Sequence, residues 1–249
     1  MAVTIEVRVC RDLQDLCRQA AARTVKLVQD AVYRNGWCAL VLAGGSTPKA
    51  LYAFLARDYA GQIPWRQVHL FWGDERYVPH EDSGSNYRMV QESLLRHVSI
   101  PAANVHSMPT SFAEPEDAAN AYEDTLKGYF DGPWPRFDLV LLGIGADGHT
   151  ASLFPGSSAA DEQERWVTAV ETSADPPRRL TLTFRAINGA ANVFFLAAGA
   201  AKADAVRCAL REAPDLLECP AGGIRPKAGN LTWWLDAAAS KFDEVSGSR

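Results

Sequence analysis

The segment FDLVLLGIGADGHTASLFPG (residues 137–156) joins a mostly apolar run to a glycine-rich stretch that carries a histidine. The apolar run predicts a buried strand at 137–142, followed by a loop. The loop begins with the G-x-G-x-x-G spacing that is typical of dinucleotide binding. That function needs a helix of about ten residues or more directly after the glycines, but Pro155 and Gly156 interrupt the chain too early. We therefore interpret the segment as a strand end that presents His149 to a substrate.

The rest of the chain alternates between short apolar runs and amphipathic stretches. Strands are predicted at residues 3–9, 37–42, 68–72, around 105, 137–142, 166–170, 180–184, 192–197 and 231–235, and helices at 11–35, 48–58, 86–97, 116–130 and 202–212. This order indicates an α/β fold with a mostly parallel sheet and helices on both faces. No linker divides residues 1–249, so we expect a single domain, and only the tail SGSR at 246–249 has the composition of a disordered segment.

Composition excludes several classes of protein. Apolar residues make up 47% of the 249 residues, yet the longest apolar runs, at 37–43 and 192–198, are far shorter than a membrane span. The first residues alternate like a strand and lack a signal-peptide pattern, so we expect a cytoplasmic protein. The net charge of −5 argues against a broad nucleic-acid surface. Five cysteines without a C-x-x-C pair predict buried free thiols rather than disulfides or a zinc site.

In parallel sheets, binding sites lie beyond the carboxyl ends of the strands. After the strand at 37–42, Gly44 and Gly45 allow a tight turn and close approach of a ligand. Ser46 or Thr47 is expected to cap the next helix, and Pro48 suits its first turn. Free N–H groups at such a helix start form an anion site. An ordinary capped turn would explain the same letters, so this loop alone leaves phosphate binding open.

Charged residues follow other predicted strands. Asp74, Glu75 and Arg76 come directly after 68–72. Such charge runs are usually solvated turns with a local salt bridge, but the nearby glycine loop favours a contact between Arg76 and a phosphate. Lys202, in the predicted first turn of a helix, opposes the helix dipole and suggests a bound anion, although a solvent-facing lysine is a simple alternative. Arg179, just before the strand at 180–184, is a further candidate cation.

His149 is the candidate general base. A lone histidine is more often structural than catalytic, but this one lies in a glycine-rich loop at the predicted active edge of the sheet. Histidine titrates near neutral pH, and Asp147, two residues earlier, could orient its ring. His149 has no second histidine at metal-binding spacing, so no metal is expected.

As a set, several stretches resemble the 6-phosphogluconolactonases, in that family's order from about residue 42 to residue 206. They are LAGGSTPKALY, FWGDERYVP, SNYRM, FDLVLLGIGADGHTASLFPG, RRLTLTFRAI and LAAGAAKADAV. The resemblance implies a Rossmann-like, doubly wound sheet. It also implies hydrolysis of 6-phospho-D-glucono-1,5-lactone to 6-phosphogluconate, the second step of the oxidative pentose phosphate pathway, without a metal or organic cofactor.

The resemblance also assigns roles to individual residues. His149 would be the general base, while Asp74 and Asp147 would orient the sugar or the histidine. The phosphate would be held by a larger set, namely Gly44, Gly45, Ser46, Thr47, Arg76 and Lys202, with Arg179 nearby. The expected partner is therefore the small-molecule substrate 6-phosphogluconolactone, with no nucleic acid and no membrane.

Two other functions are weighed against this one. The similar glucosamine-6-phosphate deaminases have a D-G-H-x-x-x-x-E pattern, whose glutamate helps the histidine open the sugar ring. Here that position is Phe154, and Arg76 stands where the deaminases tend to have tyrosine. Both departures favour the lactonase. A sugar-phosphate sensor of the transcription-regulator type would need a DNA-binding module, and the strand at Val3 is expected to leave no room for one before the fold.

Overall fold

The structure, a computed structural model, describes residues 4–241, which contain ten strands and seven α-helices. The strands are β1 (Thr4–Cys10), β2 (Cys38–Leu42), β3 (Val68–Trp72), β4 (Asp74–Arg76), β5 (Val105–His106), β6 (Leu139–Leu142), β7 (Val167–Glu171), β8 (Arg178–Leu182), β9 (Asn192–Ala197) and β10 (Asn230–Asp236). The helices are α1 (Leu13–Asn35), α2 (Ser46–Asp58), α3 (Asn86–Ser93), α4 (Pro115–Lys127), α5 (Ser158–Asp161), α6 (Phe184–Ile187) and α7 (Ala203–Ala209). The predicted strand start at Val3 and the tail at 246–249 lie outside the described residues.

Seven strands form the main sheet, in the order β1-β10-β9-β6-β2-β3-β5, and every neighbouring pair is parallel. From β2 the chain moves through β3 to β5 at one edge. It then returns to β6, on the other side of β2, and continues outward through β9 and β10. The direction of winding therefore reverses between β2 and β6, which is where open α/β sheets form their sites. The predicted doubly wound, mostly parallel α/β fold is confirmed.

The central strands form because their residues suit a sheet that is covered on both faces. Every residue of β2, β6 and β9 is buried, as expected for continuous apolar runs in a parallel sheet. Helix α1 begins after Asp12, whose side chain accepts a hydrogen bond from the N–H of Asp15, and ends at Gly36, which has a φ of 81°. A glycine adopts this left-handed conformation without strain, so α1 ends where the sequence predicts.

A second sheet corrects the prediction for two strands and one loop. The strands predicted at 166–170 and 180–184 do not join the parallel sheet; as β7 and β8 they form an antiparallel sheet with β4. The chain enters this sheet at Gly73, whose N–H donates to Leu42 and whose carbonyl accepts from Leu182. The sequence predicts a loop in place of β4, because three consecutive charged residues carry no apolar periodicity.

All five predicted helices differ from their predicted bounds at one or both ends, and two of the differences involve 3-10 turns. The helix predicted at 86–97 ends at Ser93 and is followed by a 3-10 turn, Leu95–His97. Lys202 lies in another 3-10 turn, Ala200–Lys202, and caps α7 rather than occupying its first turn. Both differences arise at helix ends, where 3-10 turns commonly replace α-helical ones.

Within residues 4–241, no helix is long and apolar enough to cross a membrane, and all five cysteines are free thiols.

Candidate active site

A pocket of about 190 Å³ opens at the carboxyl ends of β2, β3, β6 and β9. It is lined by every predicted site residue except Asp147, namely Gly44, Gly45, Ser46, Thr47, Asp74, Arg76, His149, Arg179 and Lys202. Asp147 contacts the His149 ring instead. Residues that are up to 158 positions apart in the chain therefore meet at the point where the sheet reverses its winding.

The glycine loop after β2 leaves the start of α2 without a side-chain cap. Helix α2 begins at Ser46 with Gly45 as its N-cap, and no side chain caps it, so the predicted capping by Ser46 or Thr47 is wrong. Gly45 has a φ of 101°, a conformation that favours glycine. The Tyr52 hydroxyl lies 2.8 Å from the backbone nitrogen and 2.9 Å from the oxygen of Ala43, which fixes the entry to the loop. The first turn of α2 therefore presents backbone N–H groups to the pocket.

Two arginines lie side by side on the wall formed by the second sheet. Arg76 of β4 is directly opposite Arg179 of β8, and like charges in such a pair repel. Arg76 Nη1 donates to the carbonyl of Gly84 at 2.7 Å, and Arg179 Nε donates to that of Pro176 at 3.2 Å. Burial, with the positive charge of Arg76, lowers the pKa of Arg179, and Asp74 opposes this shift.

The cations of the pocket have no carboxylate partner in the described part of the chain. Neither Arg76 nor Arg179 forms a salt bridge there, and the side chain of Lys202 makes neither a salt bridge nor a hydrogen bond. Arg76 Nε is buried without any partner. Asp74 favours the charge of Arg179, but the cations still repel one another, and an anion between them would relieve that repulsion.

His149 and Asp147 form a hydrogen-bonded pair in the loop after β6. His149 Nδ1 lies 2.6 Å from Asp147 Oδ1. Because an ionised carboxylate only accepts, Nδ1 of the neutral ring carries the proton and Nε2 keeps its lone pair. The hydrogen bond from His149 lowers the pKa of Asp147, which keeps the carboxylate ionised. The His149 side chain is 30% exposed, so water can reach the ring.

The glycines of the G-x-G-x-x-G motif make room for this pair. A Cβ on Gly145 would overlap both the His149 ring and the Asp147 carboxylate. The N–H of Gly145 donates to the carbonyl of His149 at 2.8 Å, and Gly148 has a φ of 83°. After this loop there is no helix until the four-residue α5, so the argument against dinucleotide binding holds in the structure.

Asp74 belongs to a buried polar network at the base of the pocket. Its Oδ2 accepts a hydrogen bond from the Ser152 hydroxyl at 2.8 Å. The Asn86 side-chain nitrogen donates to the Asp74 carbonyl at 2.9 Å and to Oδ1 at 3.3 Å. Asn86 also packs so closely on Gly44 that a Cβ there would overlap its amide. The network thus joins the loop after β2, strand β4 and the loop after β6.

Asn86 and Ala151 are pocket-lining residues that the sequence analysis missed. The side-chain oxygen of Asn86 is buried without a partner, and Ala151 has a φ of 48°, which is uncommon for a residue other than glycine. The stretch SNYRM is part of the family resemblance, which implies no role for its asparagine. Backbone strain of the kind seen at Ala151 gives no signal in a sequence, although it is frequent at functional sites.

Glu75 faces away from the pocket and has a structural role. Its carboxylate accepts hydrogen bonds from the backbone N–H groups of Arg76, Asn86 and Tyr87, at 2.7–2.8 Å. The residue is fully buried, and burial raises the pKa of Glu75 to about 7. A solvated turn with a local salt bridge is therefore wrong for this position. Glu75 instead fixes the start of α3, and with it Asn86, against the pocket.

Across residues 4–241, no group of three or more His, Cys, Asp or Glu side chains is arranged to hold a metal ion. A metal-independent reaction stays a prediction, which chelation of the purified protein would test.

The comparison with known proteins agrees with this geometry. Residues 11–233 match the family described as glucosamine-6-phosphate isomerases/6-phosphogluconolactonase. The chain belongs to this family. A 6-phosphogluconolactonase of Synechocystis sp. is 41% identical over 239 residues, which cover 95% of this chain and 97% of that protein. A 6-phosphogluconolactonase of Mycobacterium tuberculosis is 42% identical over 247 residues, which cover 96% and 98%.

A solved structure supports the same family assignment. The structure of 6-phosphogluconolactonase from Trypanosoma brucei matches with a TM-score of 0.85 and 31% sequence identity, covering 96% of this chain and 98% of that one. The predicted family resemblance is thereby confirmed. In this member of the family, Phe154 stacks on the His149 ring, with centroids 4.2 Å apart and planes inclined by 23°. The position where the deaminase pattern has a glutamate therefore holds an apolar ring.

Proposed function

We propose that this chain hydrolyses 6-phospho-D-glucono-1,5-lactone to 6-phospho-D-gluconate. The observation that carries the proposal is that one pocket combines a histidine whose Nδ1 is held by a carboxylate with cations that form no salt bridge among the described residues. The cations suit a phosphate, and the oriented histidine suits activation of water. Relatives named 6-phosphogluconolactonase, about 40% identical over nearly the whole chain, support the same substrate.

The phosphate binds between the start of α2 and the cations. Backbone N–H groups of the loop at Gly44, Gly45, Ser46 and Thr47 donate to its oxygens, and the positive end of the helix dipole favours its charge. Arg76 of β4 and Lys202, which follows β9, add charged donors in the same pocket. Arg179, directly opposite Arg76, adds a third positive charge. A bound dianion would replace the repulsion among these groups with attraction.

His149 activates the attacking water. The Nε2 lone pair accepts a proton as the water oxygen bonds to the lactone carbonyl carbon, which gives a tetrahedral intermediate with a negatively charged oxygen. When that intermediate collapses, the bond between the carbonyl carbon and the ring oxygen breaks, and the imidazolium returns the proton to the ring oxygen. Asp147 holds Nδ1 throughout and stabilises the imidazolium.

Asp74 orients the sugar. Its carboxylate is buried, lines the pocket and is held by Ser152 and Asn86, so its position is fixed before substrate binds. A fixed acceptor of this kind suits a sugar hydroxyl and contributes through pre-organisation.

The buried apolar side chains of both sheets belong to one core, which supports our proposal of a single α/β domain.

The test is direct enzymology on two substrates. Purified protein is mixed with freshly prepared 6-phosphogluconolactone while acid release is followed, and in parallel with glucosamine 6-phosphate while ammonia is followed. We expect rapid acid release above the spontaneous rate and no ammonia. Ammonia release without lactone hydrolysis would replace the proposal with the deaminase. Unphosphorylated gluconolactone is the matched control, and an equal kcat/KM for both lactones would contradict the phosphate anchor.

A further inference from the structure

The two edges of the main sheet differ in length and exposure. At one edge β5 has only two residues, which protects that edge from pairing with another strand. At the other edge β1 has seven residues and, within the described residues, pairs only with β10. Residues 5–9 are all exposed. The unpaired backbone of β1 is therefore open to another strand.

The exposed side chains of β1 are sorted between its two faces. Ile5, Val7 and Val9 share one face and are 39%, 43% and 58% exposed. Glu6 and Arg8 share the other face, where they form a salt bridge of 2.6 Å with each side chain about half exposed. An exposed strand with an apolar row is a site for strand addition. The charges of Glu6 and Arg8 restrict which strand fits.

The sequence of β1 is complementary to itself in one antiparallel register. A twofold axis perpendicular to the sheet keeps each side chain on its own face, so the axis lies midway between the two copies of one residue. With the axis at Glu6 or at Arg8, identical charges lie directly opposite each other, which is unfavourable. With the axis at Val7, Glu6 of each copy lies opposite Arg8 of the other, and Ile5 lies opposite Val9. Both faces are matched only in this last register.

We propose that β1 pairs antiparallel with β1 of a second copy of this chain, about a twofold axis at Val7. The contact is isologous, because each copy presents the same patch to the other. It joins two seven-stranded sheets into one of fourteen strands. Two ion pairs form on one face, and a row of β-branched side chains packs on the other. Because one strand from each copy forms the contact, the dimer is weak and depends on concentration.

Charge exchange tests both the surface and its register. Sedimentation velocity is measured for the full chain over about 1 μM to 1 mM. We expect a monomer–dimer equilibrium. In Glu6→Arg, the introduced arginine of each copy lies opposite Arg8 of the other, and in Arg8→Glu, the introduced glutamate lies opposite Glu6. Each change should raise the dimer dissociation constant by about tenfold or more. The double variant Glu6→Arg with Arg8→Glu restores opposite charges and should return the constant to within about threefold of the original.

Each other outcome overturns the proposal. A monomer at every concentration means that β1 does not pair. A dimer that both single variants leave unchanged uses another surface, and single-variant losses that the double variant does not reverse exclude the register at Val7. No β1 residue lines the active-site pocket, so all three variants should hydrolyse lactone normally at low concentration. That activity shows that the variants are folded, so a change in mass can be attributed to the contact.

Discussion

Two of the histidine environments in this molecule contrast with each other. His149, beyond the end of β6, contacts the Asp147 carboxylate at 2.6 Å and is partly open to water. His69 of β3 and His106 of β5 contact each other instead, with 3.0 Å between Nδ1 and Nε2 and ring planes inclined by only 12°. Aromatic rings surround this second pair, including Tyr129, which is close to both histidines.

The neighbours of each ring decide what it can do. Burial lowers the pKa of His69, and it lowers the pKa of His106 to about 4, with a further contribution from His69. This environment opposes protonation, so neither ring suits a role that requires a positive charge. His149 instead lies beside a carboxylate that holds Nδ1 and leaves the Nε2 lone pair free to accept a proton. The same residue type is therefore suited to catalysis in one region and to packing in the other.

Removing the proposed base should give the largest effect. We expect His149→Ala to lower kcat by about 10²–10⁴-fold, the usual contribution of a positioned base, while substrate still binds through its phosphate. The matched control is His69→Gln, which alters the aromatic region and should leave kcat near its original value. Rates are measured as acid release and corrected for spontaneous hydrolysis of the lactone. A near-normal kcat in His149→Ala would show that the loop positions some other group.

Displacing the base without removing it should have a somewhat smaller effect. A methyl group at Gly145 would overlap His149 and Asp147, so Gly145→Ala should move the pair and lower kcat by about 10²-fold. The control is Gly61→Ala, since a Cβ at Gly61 meets no atom within 4 Å. Steady-state kinetics of both variants show whether the fall in kcat is specific to position 145. If Gly145→Ala kept full activity, the observed geometry of the pair would not matter for turnover.

Removing one cation of the anchor should change binding more than turnover. Lys202→Ala should weaken substrate binding by about 1.5–3 kcal/mol, the range for a lost hydrogen bond to a charged group. This corresponds to a rise in KM of roughly 10- to 150-fold, with kcat little changed. Lys49→Ala is the control, because Lys49 follows Pro48 in α2 but does not line the pocket. An unchanged KM would remove Lys202 from the site. Inorganic phosphate should compete with substrate less effectively in this variant.

The second histidine region should affect stability rather than rate. The folded-state pKa of His106 lies below the unfolded value of about 6.5, so the unfolded chain takes up the proton first. This loss of stability is absent above about pH 6.5 and grows as the pH falls towards 4. When the pH is lowered from about 7 to about 5, the Tm of His106→Gln should therefore fall less than the Tm of the original chain. Glu75, whose raised pKa acts in the opposite direction, is present in both proteins and cancels in this difference. If the Tm of both proteins fell equally with pH, the lowered pKa of His106 would have no effect on folding stability.

Chelation should have the smallest effect of all. Prolonged treatment with a strong chelator is expected to leave kcat unchanged, because the proposed reaction needs only an oriented histidine and a water molecule. A loss of activity that zinc restores would overturn the mechanism. The same treatment of His149→Ala shows whether any residual rate depends on a metal.

Much of the fold could be predicted because parallel strands carry a strong signal. The apolar runs of β2, β6 and β9 are buried on both faces, so they are continuous in the sequence. Assignment of strands to sheets was harder. Strands β7 and β8 resemble the others locally, and only their pairing with β4 separates them. That pairing is long-range, and three charged residues give no local sign of it.

The site could be predicted in part, for a similar reason. Loops that follow parallel strands converge at one edge, so the glycine loop, Arg76, Lys202 and His149 could be placed together because each follows a predicted strand. The pairing of Arg76 with Arg179 needs the second sheet and was not foreseen. Asn86 was missed because its contact with Asp74 depends on how Glu75 fixes the start of α3. Side-chain contacts between distant elements leave no periodicity in a sequence.

The adjacency of β2 and β6 bears on which length of substrate fits the pocket. The loop that would hold the phosphate follows β2 and the proposed base follows β6, and these strands are hydrogen-bonded neighbours. Strand spacing in a sheet is nearly constant at about 4.8 Å, so the backbone fixes how far the glycine loop of the anchor lies from the loop that carries His149. We expect a lactone whose phosphate lies one carbon nearer to its carbonyl to bind at the same anchor and to reach His149 less well. Chain length would then be selected by the framework itself, before any specific contact to a hydroxyl group.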